Sequence, residues 1–277
     1  MRKQVQQINP FRRPHMKKTS IRLLSILSML LLIWAGWTVW NNALRAPSFN
    51  RLPLPPSLIA ADSSAGQKLF VSSQYTADYD ALITHFVAQA RPAFCGVASS
   101  VVVLNAINPA LKPALKIAPS PTENPVTQST FFDAAARQVR GEFDVTFGGM
   151  SLAQLRDLLK AHGVDATLTY ASDTTLEAFR KQAQENLKTP GDFILVNYQR
   201  GALGQKESGH ISPLAAYHEA SDRFLILDVA AYKYPPVWVS AQALWAAMNT
   251  VDQSSGHTRG FVVVKPLPVS RLPAPAT

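Results

Sequence analysis

The stretch HISPLAAYHEASDRFLILDV, residues 210–229, decides the fold class because it holds two apolar segments separated by a short polar turn. The segments HISPLAAY (210–217) and RFLILDV (223–229) are typical of strands, and HEASD (218–222) is short enough to form a tight connection. Strands joined so closely pair in the antiparallel direction. The stretch therefore predicts a β-hairpin.

The register of this hairpin brings a histidine to a carboxylate. If Tyr217 pairs with Ser221 across a three-residue loop, His210 falls opposite Asp228, to within one position, on the same face of the sheet. Side chains that face each other in this way are close enough for an imidazole N–H to donate to a carboxylate. Two polar strand ends on a protein surface give the same pattern, so the pair alone does not establish a function.

The only cysteine among the 277 residues stands at the start of a predicted helix, in QARPAFCGVASSVVVLNAI (89–107). Apolar residues at helical spacing follow Cys95 and predict a helix as far as Ile107, ended by Asn108-Pro109. A single cysteine excludes an internal disulfide and a cysteine-rich zinc site. The thiol is therefore either an ordinary buried residue or a reactive one.

Helical patterns come first along the rest of the chain and strand patterns later. Further helices are predicted at 129–140 after a Ser129 cap, at 151–163 after Ser151, at 174–187 with Thr174 and Glu177 as a capping box, and at 240–248 after Ser240. The other strands are predicted at 192–198 and 260–265. Separate groups of helices and strands predict an α+β domain.

The first 40 residues have the pattern of a membrane anchor. Seven basic residues within positions 1–22 precede LLSILSMLLLIWAGWTVW (23–40), a run of 18 uncharged residues. That length is at the short end for a membrane-spanning helix, and its tryptophans lie toward the far end, where aromatic belts form. Because basic flanks stay in the cytoplasm, we expect a single span of the inner or plasma membrane with the rest of the chain on the exported, periplasmic side. A cleavable signal peptide is the alternative, although its apolar region is usually shorter.

Composition also sets the domain boundaries. Prolines predict a stiff linker before the globular part and a frayed tail after it. The predicted organisation is a basic cytoplasmic segment (1–22), a transmembrane anchor (23–40), a proline-rich linker (41–60), a catalytic domain (61–265) and a proline-rich tail (266–277). The formal net charge is +9, but beyond position 22 there are 20 basic against 18 acidic residues. A nearly neutral domain argues against nucleic-acid binding.

Cys95, His210 and Asp228 together have the composition of a nucleophilic site. A helix N-terminus and a nearby histidine lower the pKa of a thiol, to roughly 3.5–7.5. A histidine oriented by a carboxylate is the base that such a nucleophile requires. The Gln89 amide is a candidate to join the Cys95 backbone N–H in stabilising an oxyanion, and Gly96 is expected to leave room for a substrate backbone. These are the parts of a papain-type cysteine acyltransferase.

The sequence around these residues resembles the phytochelatin synthase family in its short bacterial form. The resemblance extends over about residues 50 to 265 and is carried by QARPAFCGVASSVVVLNAI (89–107), GDFILVNYQRGALGQKESGHISPLAAYHEASDRFLILDVAAYKYPPVWV (191–239) and MNTVDQSSGHTRGFVVV (248–264). It implies a papain-like cysteine protease fold. It also implies the nucleophile at Cys95, the general base at His210, the orienting acid at Asp228 and the oxyanion glutamine at Gln89.

The chemistry that the resemblance implies is cleavage of the Cys–Gly bond of glutathione. Glycine leaves, a γ-glutamylcysteinyl thioester forms on the cysteine, and a second glutathione or its metal thiolate accepts the acyl group to give phytochelatin. Water as the acceptor gives γ-glutamylcysteine. The resemblance also places Asp252 and Arg259 where they would pair with the ammonium and carboxylate of the γ-glutamyl group, and Gly209 where substrate backbone passes.

The sequence departs from the plant and fungal members, because it has no counterpart of their cysteine-rich carboxyl-terminal region. We therefore expect mainly hydrolysis to γ-glutamylcysteine, with minor phytochelatin synthesis. We expect no required cofactor and no protein metal site, and we expect cadmium or zinc to act as glutathione-thiolate co-substrates in metal detoxification. The expected partners are glutathione and the membrane, with a homodimer as a candidate assembly and no nucleic acid.

Two alternatives remain open on the sequence. One is a papain-like endopeptidase of the leader-peptide type, which also places a glutamine before a Cys-Gly pair, although its cysteine commonly follows an acidic residue and Phe94 stands here. The other is a binding protein that holds glutathione or its metal thiolates without turnover. A nucleophile with its own base argues against a binder, and release of glycine would separate all three functions.

Overall fold

The structure is a computed structural model that describes residues 18–111 and 126–267. It divides into two units, one ending at Arg45 and the other beginning at Ala46. Most of the predicted basic segment (1–22), loop (109–128) and tail (266–277) lies outside the described residues.

The N-terminal unit is one long apolar helix. Helix α1 (Lys18–Val39) continues as a π-helical turn, Trp40–Leu44. From Arg22 to Leu44 the 23 residues have a mean hydropathy of 1.9, and their side chains are not buried. The hydroxyls of Ser28 and Thr38 donate to backbone carbonyls four residues earlier, which satisfies both polar groups within the helix. The helix is thus long and apolar enough to span a membrane by length and composition, a test that a signal sequence also passes.

The C-terminal unit is built on one antiparallel sheet. Within its described residues the sheet has seven strands in the order β1-β6-β5-β4-β3-β7-β2. The strands are β1 (Ile59–Ala60), β2 (Val164–Tyr170), β3 (Phe193–Gln199), β4 (Gly209–His218), β5 (Arg223–Ile226), β6 (Val237–Ser240) and β7 (Gly260–Pro266).

Helices cover both faces of this sheet. They are α2 (Ser64–Val71), α3 (Tyr79–Thr84), α4 (Cys95–Leu111), α5 (Ala134–Val139), α6 (Glu142–Gly148), α7 (Leu152–Ala161), α8 (Leu176–Lys188) and α9 (Ala241–Met248). Leu195 of β3 packs in the cluster that contains α4 and α7, whereas its neighbours Ile194 and Val196 pack in the cluster that contains α8 and α9. Burial on both faces explains why the strand sequences are apolar runs rather than alternating patterns. The predicted α+β class is confirmed.

The hairpin of β4 and β5 forms, but its predicted register was wrong. Tyr217 pairs with Phe224, not with Ser221, because a 3₁₀ turn at Glu219–Ser221 and the left-handed Asp222 (φ 48°) lengthen the connection. A bulge near Leu214 shifts the register once more, so that Leu214 faces Ile226. Continued at that spacing, Asp228 faces the residue two positions after His210, and the two side chains become diagonal neighbours on one face.

Two of the predicted side-chain caps were correct and two were wrong. Ser151 caps α7 and Ser240 caps α9, as predicted, and Gln154 completes a capping box with Ser151. Helix α8 is capped by Thr175 rather than Thr174. Asp133, not Ser129, caps α5, which spans only six residues. Strands β1, β2 and β6 and helices α2, α3 and α6 were not predicted, and α4 continues past its predicted end to Leu111.

The predicted linker 41–60 is only partly a connector. The boundary between the units lies at residues 45–46, and the chain beyond it packs on the C-terminal unit. The backbone N–H groups of Asn50 and Leu52 donate to the carbonyls of Tyr232 and Lys233, and Leu58 is buried. Residues 46–60 are therefore part of the C-terminal unit, beside the loop that follows β5.

Candidate active site

Cys95 is the first residue of α4, and its side chain is half-buried against the core. The Ser99 hydroxyl, one turn further along α4, donates to the carbonyl of Ile211 over 3.0 Å. This bond joins the first turns of α4 to β4 at the residue that follows His210.

His210 and Asp228 form the predicted contact. The imidazole Nε2 lies 2.9 Å from Asp228 Oδ1, and both side chains are buried. Tyr198, directly opposite His210 on β3, packs edge-to-face against the imidazole with ring centroids 5.6 Å apart. The bond to Nε2 and the aromatic contact fix the ring, which leaves Nδ1 as the nitrogen available to exchange a proton.

Arg200 is a buried member of the same network that the sequence analysis missed. It follows β3 in a 3₁₀ turn (Arg200–Leu203), and its Nη2 donates to Asp228 Oδ1 over 2.7 Å. Burial alone would raise the pKa of Asp228, but His210 and Arg200 reverse this effect and lower the pKa to about 2. Asp228 is therefore ionised at any ordinary pH.

Burial disfavours the charged forms of both the thiol and the imidazole. Burial and the charge of Arg200 lower the pKa of His210 to about 4, although Asp228 opposes them. Burial also raises the pKa of the Cys95 thiol, and the N–H of Ile211, the charge of Arg200 and the N–H of Gly96 oppose this rise. Burial therefore acts against the predicted acidification of the thiol by the donors at the helix start.

Gln89 is buried in the loop that leads to Cys95. Its Nε2 donates to the carbonyls of Arg91 (2.9 Å) and Pro92 (2.8 Å) and lies 3.2 Å from the hydroxyl of Tyr232. Its Oε1 is buried without a hydrogen-bond partner. The carboxamide thus holds the loop before the nucleophile, and its N–H groups are engaged by backbone oxygens.

The space beside Gly96 is filled by another side chain of the protein and is not open to a substrate. A Cβ at this position would collide with the Sδ of Met150, a half-buried residue between α6 and α7. The expected room for substrate backbone beside Gly96 is therefore occupied by Met150.

Asp252, Arg259 and Gly209 lie together near the start of β4. Arg259 Nη1 donates to Asn197 Oδ1 over 2.9 Å and lies 3.6 Å from Asp252 Oδ2, while its Nε is buried without a partner. A Cβ on Gly209 would lie 2.7 Å from Arg259 Nη1, so this glycine permits the close approach of the guanidinium. Asn197 is a member of this group that the sequence analysis did not single out.

The chemistry available here is nucleophilic. Among residues 18–111 and 126–267, no group of three or more His, Cys, Asp or Glu side chains is placed to hold a metal ion. A thiol at a helix start, a buried imidazole with one free nitrogen and an ionised carboxylate are the groups that covalent acyl transfer uses.

The sequence is similar to known proteins over most of its length. The sequence model of the phytochelatin synthase family matches residues 49–261. The chain is 35% identical over 217 residues to glutathione gamma-glutamylcysteinyltransferase 1 of Lotus japonicus, which covers 77% of this chain and 41% of the relative. It is 33% identical to the Arabidopsis thaliana protein of the same name, over 77% and 42% of the two chains. Identity to glutathione gamma-glutamylcysteinyltransferase of Schizosaccharomyces pombe is 28%, over 79% and 52%. The chain thus spans about half the length of the curated relatives that it matches.

Proposed function

Since this chain belongs to the phytochelatin synthase family, we propose that it is a cysteine acyltransferase that acts on glutathione through a papain-like catalytic unit. The observation that carries the proposal is the 2.9 Å contact between His210 and Asp228 beside Ile211, whose carbonyl accepts from Ser99 in the helix that begins with Cys95, all within the matched region. A helix that begins with the nucleophile and packs on an antiparallel sheet carrying the base and the acid supports the papain-like fold.

The proposed reaction begins with attack of Cys95 Sγ on the carbonyl carbon of the Cys–Gly peptide bond. The thiol proton passes to His210 Nδ1 and then to the departing glycine nitrogen, and a γ-glutamylcysteinyl thioester remains on Cys95. In the second half, His210 takes a proton from water or from the amino group of a second glutathione. The oxygen or nitrogen attacks the thioester to give γ-glutamylcysteine or the new peptide bond of phytochelatin, and the Cys95 sulfur leaves and recovers its proton. Asp228 stabilises the imidazolium that exists between the two transfers.

Gln89 remains the proposed oxyanion donor, together with the backbone N–H of Cys95. Its Nε2 already donates to the carbonyls of Arg91 and Pro92, so it would exchange one of these acceptors for the oxyanion as the intermediate forms.

Asp252 and Arg259 are the proposed clamp for the γ-glutamyl group, with Gly209 beside the substrate backbone. The unpartnered Nε of Arg259 supports an anionic ligand at this position, because a buried guanidinium N–H without an acceptor is costly. Asp252 would receive the ammonium of the same group. The pairing of one anion and one cation matches the two charges of an α-amino acid end.

The balance between hydrolysis and synthesis is the finer part of the proposal. We propose mainly hydrolysis, with phytochelatin as a minor product. The share of phytochelatin should rise with glutathione concentration, because a second glutathione then competes better with water for the thioester. The only cysteine of the 277 residues is the proposed nucleophile, and this supports the balance, because these residues offer no second thiol to gather metal thiolates beside the acyl-enzyme. Cadmium or zinc would act through the acceptor, as glutathione thiolates.

The proposed location is a membrane, with α1 as a single span and the C-terminal unit on the exported side. The seven basic residues in positions 1–22 support this orientation. Protease added to spheroplasts should digest the C-terminal unit. Protection of that unit, or recovery of a soluble cleaved form, would contradict the proposed anchor.

Product analysis tests the proposed activity. The full chain in detergent should release glycine from glutathione, and γ-glutamylcysteine should exceed phytochelatin at millimolar glutathione with or without cadmium. The variants Cys95→Ser and His210→Ala should each lose nearly all release, because nucleophile and base act as one unit. Release of glycine by Cys95→Ser at more than a few per cent of the wild-type rate would contradict the covalent mechanism. Binding of glutathione without any glycine would favour the binding-protein alternative, and cleavage of longer peptides instead would favour the endopeptidase.

A further inference from the structure

Arg200 is the most deeply buried cation in the described part of the C-terminal unit, at 1% exposure. An arginine is almost never fully buried unless it is paired. Here the guanidinium has two fixed hydrogen-bond partners: Nη2 donates to Asp228 Oδ1 over 2.7 Å, and Nη1 donates to Gln205 Oε1 over 2.6 Å. The rings of Tyr198 and Tyr234 lie 5.9 and 5.0 Å from its central carbon. The side chain is therefore held in one orientation.

The oxygen that orients His210 is the same oxygen that Arg200 holds. Asp228 Oδ1 receives Nη2 of Arg200, Nε2 of His210 and the backbone N–H of Ala230, whereas Oδ2 is buried without a partner. A displacement of Arg200 would therefore move the acceptor on which the imidazole depends. The loop that carries Arg200 is itself closed, because Arg200 N–H donates to the carbonyl of Ser208 just before β4 begins.

The charge of Arg200 acts on Cys95 and His210 as a pair. When both the Cys95 thiol and the His210 imidazole are protonated, the net charge of the pair is plus one. Loss of the first proton makes it zero, and loss of the second makes it minus one. A fixed neighbouring cation favours each loss, whichever of the two groups holds the remaining proton. The charged and titratable groups that face the pair are Arg200, Lys233, Asp228, Tyr198 and Tyr232. Of the two cations, only Arg200 contacts the triad directly.

We propose that Arg200 is a positioning residue for this site: it holds Asp228 on His210, and it supplies a fixed positive charge to the Cys95–His210 pair. The term positioning residue rests on the proposed function, because it assumes that Cys95 and His210 react. The contacts of Arg200 themselves lie within the protein and do not depend on substrate. Gln205 becomes part of the assignment because it fixes the far side of the guanidinium.

The test follows the rate of Cys95 alkylation by iodoacetamide against pH in the full chain in detergent. Cys95 is the only cysteine, so the signal comes from one thiol and needs no turnover of glutathione. The variant Arg200→Gln removes the charge. Gln205→Glu keeps the hydrogen bond to Nη1 and adds an anion that cancels part of the charge, and it sacrifices no bond because Gln205 Nε2 has no partner. Gln205→Met is its uncharged control, and Arg180→Gln removes an arginine that pairs with Asp222 away from the site.

The whole pH profile should move upward by about one pH unit in Arg200→Gln and by less in Gln205→Glu. At a pH below the midpoint the alkylation rate of Arg200→Gln should fall about tenfold. Gln205→Met, which loses the bond to Nη1 but adds no charge, should shift the profile less than Gln205→Glu does, and Arg180→Gln should keep the wild-type profile. If folded Arg200→Gln shows the wild-type pH profile of alkylation, Arg200 has only a structural role and the proposal is overturned. If Arg200→Gln does not fold, an unshifted profile in Gln205→Glu overturns it in the same way. Failure of glycine release in the wild type would contradict the proposed function and leave this measurement intact.

Discussion

Two buried aspartates in the C-terminal unit have opposite chemistry. Asp228 and Asp78 are both 0% exposed. Asp228 accepts from Arg200 and His210, and its pKa is lowered to about 2. Asp78, at the start of α3, accepts only from the backbone N–H of Gly191 over 3.2 Å; burial raises its pKa to about 7, and the nearby charge of Asp192 adds to the rise.

The difference shows that burial does not itself produce a functional carboxylate. Burial raises the pKa of both groups, and only Asp228 has cations that reverse the effect. Asp228 is therefore a fixed anion that can orient an imidazole. Asp78 is a carboxyl that is charged only at the cost of stability, and it has no contact with the triad among the described residues.

The largest expected effect is that of Asp228→Asn. It should reduce glycine release, but by less than His210→Ala does, because the asparagine Oδ1 can still accept from Nε2 while the charge that stabilises the imidazolium is lost. It should also lower the free energy of unfolding by about 3–5 kcal/mol, because Arg200 becomes a buried charge without its anion. Enzyme assays and denaturant titration measure the two effects separately. Stability within 1 kcal/mol of wild type would mean that the Arg200 pair contributes little.

The reverse effect is expected for Asp78→Asn. Burial raises the pKa of Asp78 to about 7 from its ordinary value of 3.8, so the native protein holds the proton between these two pH values and the unfolded protein releases it. Stability of the wild type therefore falls as pH rises from about 4 to 7, and the asparagine, which cannot ionise, avoids that loss. At pH 8 the variant should be more stable by about 2–4 kcal/mol, and the gain should vanish near pH 3.

Denaturant titration at several pH values measures this gain, and glycine release should not change. Asp80→Asn is the matched control, because Asp80 is an exposed aspartate in the first turn of the same helix. A gain at pH 8 in the control, or none in Asp78→Asn, would remove the contrast between the two carboxylates.

A smaller effect of the same sign is expected for Asp192→Asn. The charge of Asp192 is the third contribution to the raised pKa of Asp78, after burial and the opposing Gly191 N–H. Its removal should lower the pKa of Asp78 and reduce the pH dependence of stability, by less than Asp78→Asn does. Asp192 also pairs with the exposed Lys265, and loss of that pair contributes about 0–1 kcal/mol at every pH. A change that is independent of pH would show that only the ion pair was lost.

Sequence patterns were sufficient for the fold class and for the contact between His210 and Asp228. Apolar runs, capping residues and the hairpin connection are local signals, and they located β3, β4, β5 and β7. The contact between His210 and Asp228 was predicted correctly although the hairpin register was wrong. The bulge and the longer turn shift Asp228 to a position diagonal to His210 on the same face of the sheet. Strand β2 was missed because it pairs with β7, far along the sequence, and β6 was missed because it has only four residues.

The rest of the site depends on burial, which the sequence does not display. Arg200 and Arg180 look alike in the sequence, yet one is buried against Asp228 and the other forms an ion pair with Asp222 near the surface. The raised pKa of Cys95 and the contact of Met150 with Gly96 likewise arise from packing between distant segments. For the roles of Gln89, Asp252, Arg259 and Gly209, the structure supplies positions, and the roles themselves stay predictions.

The most direct test of the account is intact-protein mass spectrometry of the full chain mixed with glutathione and quenched in acid. A γ-glutamylcysteinyl adduct should accumulate on Cys95 within the first turnover and should be absent from Cys95→Ser. Hydroxylamine should remove it, as expected of a thioester. Its formation should slow in His210→Ala in proportion to glycine release. Release of glycine with no adduct on Cys95, or an adduct that persists in Cys95→Ser, would contradict the covalent mechanism at its central step.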